Sequence, residues 1–168
     1  MTILLSKVTV IVAVFASVPA AAQQPVAPPP PQIPYGSPIT LAQAKQVMAG
    51  AEAEANRNSW NVVIAILDSG GNLVLLQRLD GTQLGSIDVA QDKASSAVRF
   101  RRPTKAFQDL VAQGGVNLRL LSLRGANLLT GGIPITVDGR IIGAIGVSGV
   151  TSEQDAQIAT AGVEALTK

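Results

Sequence analysis

The chain of 168 residues contains no cysteine and no histidine. Without cysteine there is no disulfide framework, no thiolate nucleophile and no zinc site of the usual kind. Without histidine there is no His-dependent catalytic triad and no His-ligated zinc or non-haem iron, and the two absences together remove the proximal imidazole and thiolate that commonly hold a haem iron. Aromatic residues are also scarce, with three Phe, one Tyr and one Trp. The interior must therefore be built from Ala, Val, Ile, Leu and Gly, with few large rings to clasp a flat ligand. Net charge is only +2, and would be +1 if a leader carrying Lys7 were removed (12 basic against 11 acidic residues). The high pI of 9.3 reflects the missing imidazoles more than a basic surface, and nothing in it argues for a nucleic-acid partner.

What is present falls into three segments. Residues 1–22 read as a secretory leader: Lys7 precedes an apolar run from Val8 to Val18, then Pro19 and the small residues Ala20-Ala21-Ala22, with cleavage expected after Ala22. The run is too short to span a bilayer comfortably, so the mature chain is expected to have no membrane span and to be periplasmic or secreted. Residues 23–38 are proline-rich, with four consecutive prolines from Pro28 to Pro31, and read as an extended linker. Residues 39–168 remain for a single domain, enough to bury a real core.

Within that domain, Thr40 with Gln43 forms a capping box for a helix over 41–56, with Ala44, Val47, Met48 and Ala51 at helical spacing. Val62–Leu67 is a continuous aliphatic run, expected as a central strand. Asp68 to Asn72 is a turn, and Leu73–Arg78 is the hairpin partner. Ser86 is expected to cap a helix to Phe100, a third helix runs from Thr104 to Gln113, and Val116–Thr130 has no clean period. Arg99, Arg101, Arg102 and Lys105 form a basic knot around Pro103, expected as a solvated face or an oligomer contact. Lys93 lies on the apolar stripe of its helix, where a lysine usually lays its stem over the core and keeps its ammonium in water.

The densest information lies in Gly131–Gly149. Ile133–Val137 and Arg140–Ser148 are two strands joined at Asp138-Gly139, a dipeptide suited to the two positive-φ positions of a tight hairpin turn. Strict alternation along the second strand puts Ile141, Gly143, Ile145 and Val147 on one face and Ile142, Ala144, Gly146 and Ser148 on the other. The second face tapers to almost nothing, so either a ligand or a closely packed helix can approach it. A last helix starts near Ser152 and runs to about Leu166, and its free N–H groups beside Gly149 would welcome an anion. Asp155, in its first turn, reads as a helix-dipole residue.

These same residues, Gly-Gly-x-Pro-Ile, Asp-Gly, Gly-Ala-Ile-Gly-Val-Ser-Gly and a following helical Asp, resemble the C-terminal signature of the GlcG/HbpS-like family, which also includes the C-terminal domain of PduO-type proteins. The resemblance spans about Ile39 to Leu166. It implies an α+β fold, a profilin-like sandwich whose antiparallel sheet is built from two hairpins and covered by helices. It also implies haem as a possible cofactor and assembly into homo-oligomers. Met48, on a buried stripe, and Tyr35, in the linker, are the conventional haem ligands left in the mature chain, so haem would be held through its propionates by Arg or Lys, with a hydroxyl or water on the iron. The expected ligand-binding residues are Arg78, Asp80, Lys93, Gly131, Gly132, Ser148 and Gly149, with Arg78 and Lys93 gripping a carboxylate and Ser148 another oxygen; no metal ion is expected to be bound by side chains. Asp80 is the candidate catalytic base, or pairs with Arg78. The alternative to haem binding is a small-molecule enzyme or sensor domain acting on a carboxylate metabolite.

Overall fold

The computed structural model of the protein describes residues 32–166; the leader and most of the linker lie outside the described residues. Helix α1 (Leu41–Arg57) is followed by the hairpin β1 (Val63–Asp68) and β2 (Leu73–Arg78). Helices α2 (Ser86–Phe100) and α3 (Lys105–Ala112) come next, then a 3-10 helix over Gly115–Ser122, the hairpin β3 (Gly132–Val137) and β4 (Arg140–Ser148), and helix α4 (Ser152–Leu166). The four strands form one antiparallel sheet in the order β2-β1-β4-β3, so the aliphatic β1 is central, as expected.

Two apolar layers flank the sheet. On one face Ile64, Ile66, Ile145 and Val147 pack against α1 and α4. On the other, Val63, Ala65, Leu67 and Ala144 meet Ala90, Ala94 and Ala97 of α2. The family fold implied by the signature, an α+β sandwich, is the one observed. Strict alternation fails at one place in β4. The register shifts so that Ile135 pairs with Gly143 and Thr136 with Ile141, which leaves Ile142 as an extra residue. This bulge puts Ile141 with the α2 layer and Ile142 with the α1/α4 layer, exchanging the faces that simple alternation gave them.

Local signals explain the element ends. Thr40 and Gln43 make the reciprocal capping box. Asp138 and Gly139 both have positive φ, 51° and 70°, which closes the β3–β4 turn. At the end of α1 the Ser59 N–H donates to Asn56 O and the Trp60 N–H to Ala55 O, a Schellman arrangement. Ser59 therefore occupies a left-handed position (φ 56°) that favours glycine. The capping expected of Ser86 is not seen. Gly85 precedes the helix with no side-chain cap, and Ser86 Oγ is instead buried against Ser148 Oγ at 3.3 Å.

The linker is not wholly a spacer. Pro34 O accepts from Ile141 N, while the Gly36 and Ile39 N–H groups donate to Ile141 O and Ile142 O, so residues 34–39 continue the sheet beyond the point where β1 ends. Tyr35 Oη donates to Val98 O at 2.8 Å and to Arg99 O at 3.2 Å, and the Arg101 guanidinium sits 4.4 Å from the Tyr35 ring centroid. Arg102 lies over Phe107, and Lys105 pairs with Asp109 at 2.7 Å. Arg101, Arg102 and Lys105 of the basic knot are thus engaged within the chain.

Replacing Ser59 with Gly should raise the melting temperature, because glycine removes about 1 kcal/mol of left-handed backbone cost at an exposed site; a thermal melt of the two proteins checks this. A second expectation concerns Asp68, whose carboxylate accepts from Gly70 N and Asn72 N. Burial pushes its pKa up, but the hydrogen bonds from Asn72, Gly70 and Gly71 outweigh that and hold it below the ordinary aspartate range. The stabilisation is present above the unfolded-state pKa and lost as pH falls through the folded one. Asp68→Asn should therefore unfold at lower denaturant than the parent at neutral pH, and the gap should close on acidification.

Candidate functional site

Lys93 Nζ is not in water. It donates to Asp155 Oδ2 at 2.7 Å and to Val147 O at 2.9 Å, and both side chains of the pair are at most 3 % exposed. Burial pushes the Asp155 carboxyl up from its usual value, and the hydrogen bond and charge of Lys93 offset this only in part. Asp155 Oδ1 also accepts from Val150 N at 3.3 Å, and Gly149 N donates to the same carboxylate. The anion expected beside Gly149 is therefore supplied by the chain itself. Asp155 is a buried counter-ion rather than only a helix-dipole residue, and the cap of α4 is made by Thr151 and Gln154.

The glycines around this pair are required by close approach. A Cβ on Gly131 (φ +126°) would lie 2.9 Å from Lys93 Nζ and from Asp155 Cβ. A Cβ on Gly132 would run into the Lys93 carbonyl, and one on Gly146 into the Ala90 carbonyl. The tapered face of β4 is thus filled by the backbone of α2, the second of the two possibilities that the sequence left open. Ser148 is 6 % exposed and spent on Ser86.

The expected site residues do not converge on one pocket. Gly132 lies on the β3 edge and Arg78 on the β2 edge, three strand spacings of roughly 4.8 Å apart. Gly132 is in line with Gly146 and Ala65, whereas Ser148 and Val63 are in line with Arg78. Arg78 and Asp80 are both exposed and form no ion pair with each other among the described residues. The structure brings together Lys93, Gly131, Gly132, Ser148 and Gly149 around the join of α2, β4 and α4. Within that group Lys93 and Ser148 are internal and already bonded.

Sequence reasoning missed the surface that these glycines open. A groove of about 170 Å³ runs past Gly131 and Gly132, walled by Pro103, Ile133, Ala156 and Thr160, with Lys105 among its lining residues. Its lining is largely apolar, unlike the sheet end beside Arg78. Thr104, fully buried, is bonded to the Gly132 edge: its N–H donates to Gly132 O at 3.0 Å and its Oγ1 accepts from Gly132 N at 3.0 Å, which also caps the free edge of β3. Thr130, another wall residue, has a buried Oγ1 with no partner. The Gly-Gly pair was the available signal: Gly131 and Gly132 stand among the expected ligand-binding residues, and they line this groove. No group of three or more His, Cys, Asp or Glu placed to hold a metal ion occurs among the described residues.

A four-stranded antiparallel sheet between an α1/α4 layer and α2, with a Gly-Gly edge over a buried Lys–Asp pair, defines a class of small α+β proteins to which comparison gives a family. The chain belongs to the HbpS-like family, described as haem degrading protein HbpS-like, whose sequence model matches residues 39–164. It is 41 % identical to Protein GlcG of Escherichia coli K12 over 110 residues, covering 66 % of this chain and 81 % of that one. A double mutant of Streptomyces reticuli HbpS superposes with a TM-score of 0.70 at 33 % identity, over 87 % of this chain and 97 % of that one. A structure described as a PduOC:haem complex superposes with a TM-score of 0.70 at 30 % identity, over 76 % and 94 % of the two chains.

The ion pair makes a sharp prediction. Lys93→Met or Asp155→Leu alone leaves one buried charge unpaired and should cost about 3–5 kcal/mol, whereas the double substitution should recover most of that loss. Equilibrium denaturation of the four proteins measures the cycle; additive losses would show that the two groups do not act as a pair.

Proposed function

We propose that the chain is an extracytoplasmic binding protein for haem or a related tetrapyrrole, which it takes by the rim of the macrocycle in the groove at Gly131-Gly132. The observation that carries this reading is an apolar wall of Pro103, Ile133 and Ala156 with Lys105 among the lining residues, in a chain of the HbpS-like family. An apolar ring edge suits the wall, and Lys105 suits a propionate, since its exposed i,i+4 pair with Asp109 is worth only about 0.3–0.5 kcal/mol and is readily exchanged. Lys93 is not the propionate cation, because Asp155 already holds it. Arg78 sits at the far edge of the sheet.

The residues fit a porphyrin edge and a carboxylate better than they fit iron. Met48 is buried in the core, and the Tyr35 hydroxyl is committed to two carbonyls. The wall hydroxyls are no better placed as ligands: Thr130 Oγ1 is buried and Thr160 Oγ1 donates to Ala156 O at 2.8 Å. Bound haem would supply a redox-active iron; the chain's part is to hold the ring and neutralise its acid. A groove of about 170 Å³ is smaller than the ~300–1,000 Å³ typical of small-molecule pockets, so the macrocycle extends beyond one protomer and a second copy covers the remainder. The exposed Val116, Leu118, Leu121 and Leu129 supply apolar surface for self-association. The extracytoplasmic location follows from the leader-like residues 1–22.

Haemin titration followed by the Soret band tests the proposal. Saturable binding is expected, weakened at least about tenfold by Ala156→Leu, which fills the groove, and less by Lys105→Ala, with Arg78→Ala unchanged. Binding no tighter than to an unrelated basic protein, or loss with Arg78→Ala alone, would overturn it.

A further inference from the structure

A second cavity, independent of the tetrapyrrole reading, lies at the end of the sheet where the chain leaves α1, β2 and β4. It has a volume of about 360 Å³ and is lined by Trp60, Asn61, Gly81, Thr82, Gln83 and Gly149, among others. That volume falls inside the ~300–1,000 Å³ range of small-molecule sites. Trp60 is the chain's one tryptophan, and the Schellman turn at Ser59 delivers it to this place. No lining residue carries a charge.

The wall's polar groups are neutral and largely uncommitted. The Asn61 side-chain amide and the Trp60 indole N–H have no partner among the described residues. Gln83 spends Nε2 on Ser86 Oγ at 3.1 Å and keeps its carbonyl oxygen. Gly81 is where a Cβ would press to 3.0 Å of Asn61 Nδ2, so the missing side chain leaves the amide its room. Thr82 is the exception: its hydroxyl donates to Leu79 O at 2.7 Å and holds the loop.

An uncharged wall cannot compensate an ion that leaves water, which disfavours carboxylates and ammonium groups here. Carboxamides both donate and accept, as hydroxyl groups do, and an indole adds apolar surface with one N–H donor. The geometry points to a site for a neutral polyhydroxylated ligand of the size of one sugar ring, bound against Trp60 and hydrogen-bonded by Asn61 and Gln83. Asp80 immediately precedes this wall and is not one of its lining residues.

Because Trp60 is the single tryptophan, its emission reports on the cavity directly. The full chain is titrated with glucose, xylose and N-acetylglucosamine, with glucuronate and glycolate as charged controls. A saturable change is expected with at least one neutral sugar, weakened about tenfold or more by Asn61→Ala and by Gln83→Ala, and weaker for the charged controls. Gln83 is exposed, so its variant keeps the fold; circular dichroism verifies both variants. No saturable response to any sugar up to about 100 mM, a response that survives in Gln83→Ala, or tighter binding of glucuronate or glycolate than of the sugars would each overturn the assignment.

Discussion

The fold turns on one buried ion pair. Lys93 from α2 and Asp155 from α4 meet at the end of β4, and the pair gathers the Val147 carbonyl and the N–H groups of Gly149 and Val150 around it. A lone charge in this place would be strongly destabilising, so each partner obliges the other to be present and each helix to keep its station. Lys93 is an element of architecture because it lies between the sheet and the last helix, where a ligand could reach it only by displacing Asp155.

The glycines follow from the same constraint. For the Lys93 side chain to reach Asp155, α2 must lie almost on the strands, and a helix can do so only where the strand has no Cβ to offer. Gly146 accepts the Ala90 carbonyl, Gly132 the Lys93 carbonyl, and Gly131 the ion pair itself. The alanines of α2 at 90, 94 and 97 make the matching surface on the helix. What remains outside is an apolar groove at the β3 edge. Membership of the HbpS-like family makes this groove the candidate ligand site.

Several cations around the end of α2 are committed to partners within the chain. Arg101 lies over the Tyr35 ring, Arg102 over Phe107, and Lys105 meets Asp109. The first of these, with the two hydrogen bonds of Tyr35, fastens the last part of the proline-rich segment across the end of α2. Residues 34–39 thus pack with the domain and extend the sheet along β4 where β1 has run out.

The element order was legible in the chain because it is written in short-range terms: the Thr40–Gln43 capping box, the Asp138-Gly139 turn, and the aliphatic run of β1 each act over a few residues. Family resemblance in Gly131–Gly149 then supplied the architecture. Asp155 and Lys93, 62 positions apart, carry no local mark of their pairing, and the Ile142 bulge is a shift in the β3–β4 register that the alternation of the chain does not announce. The residues set which strands and helices form; which charges face each other, and which glycines open a surface instead of closing one, was decided when α2 settled on the sheet, because those contacts depend on distances between elements that no sequence spacing encodes.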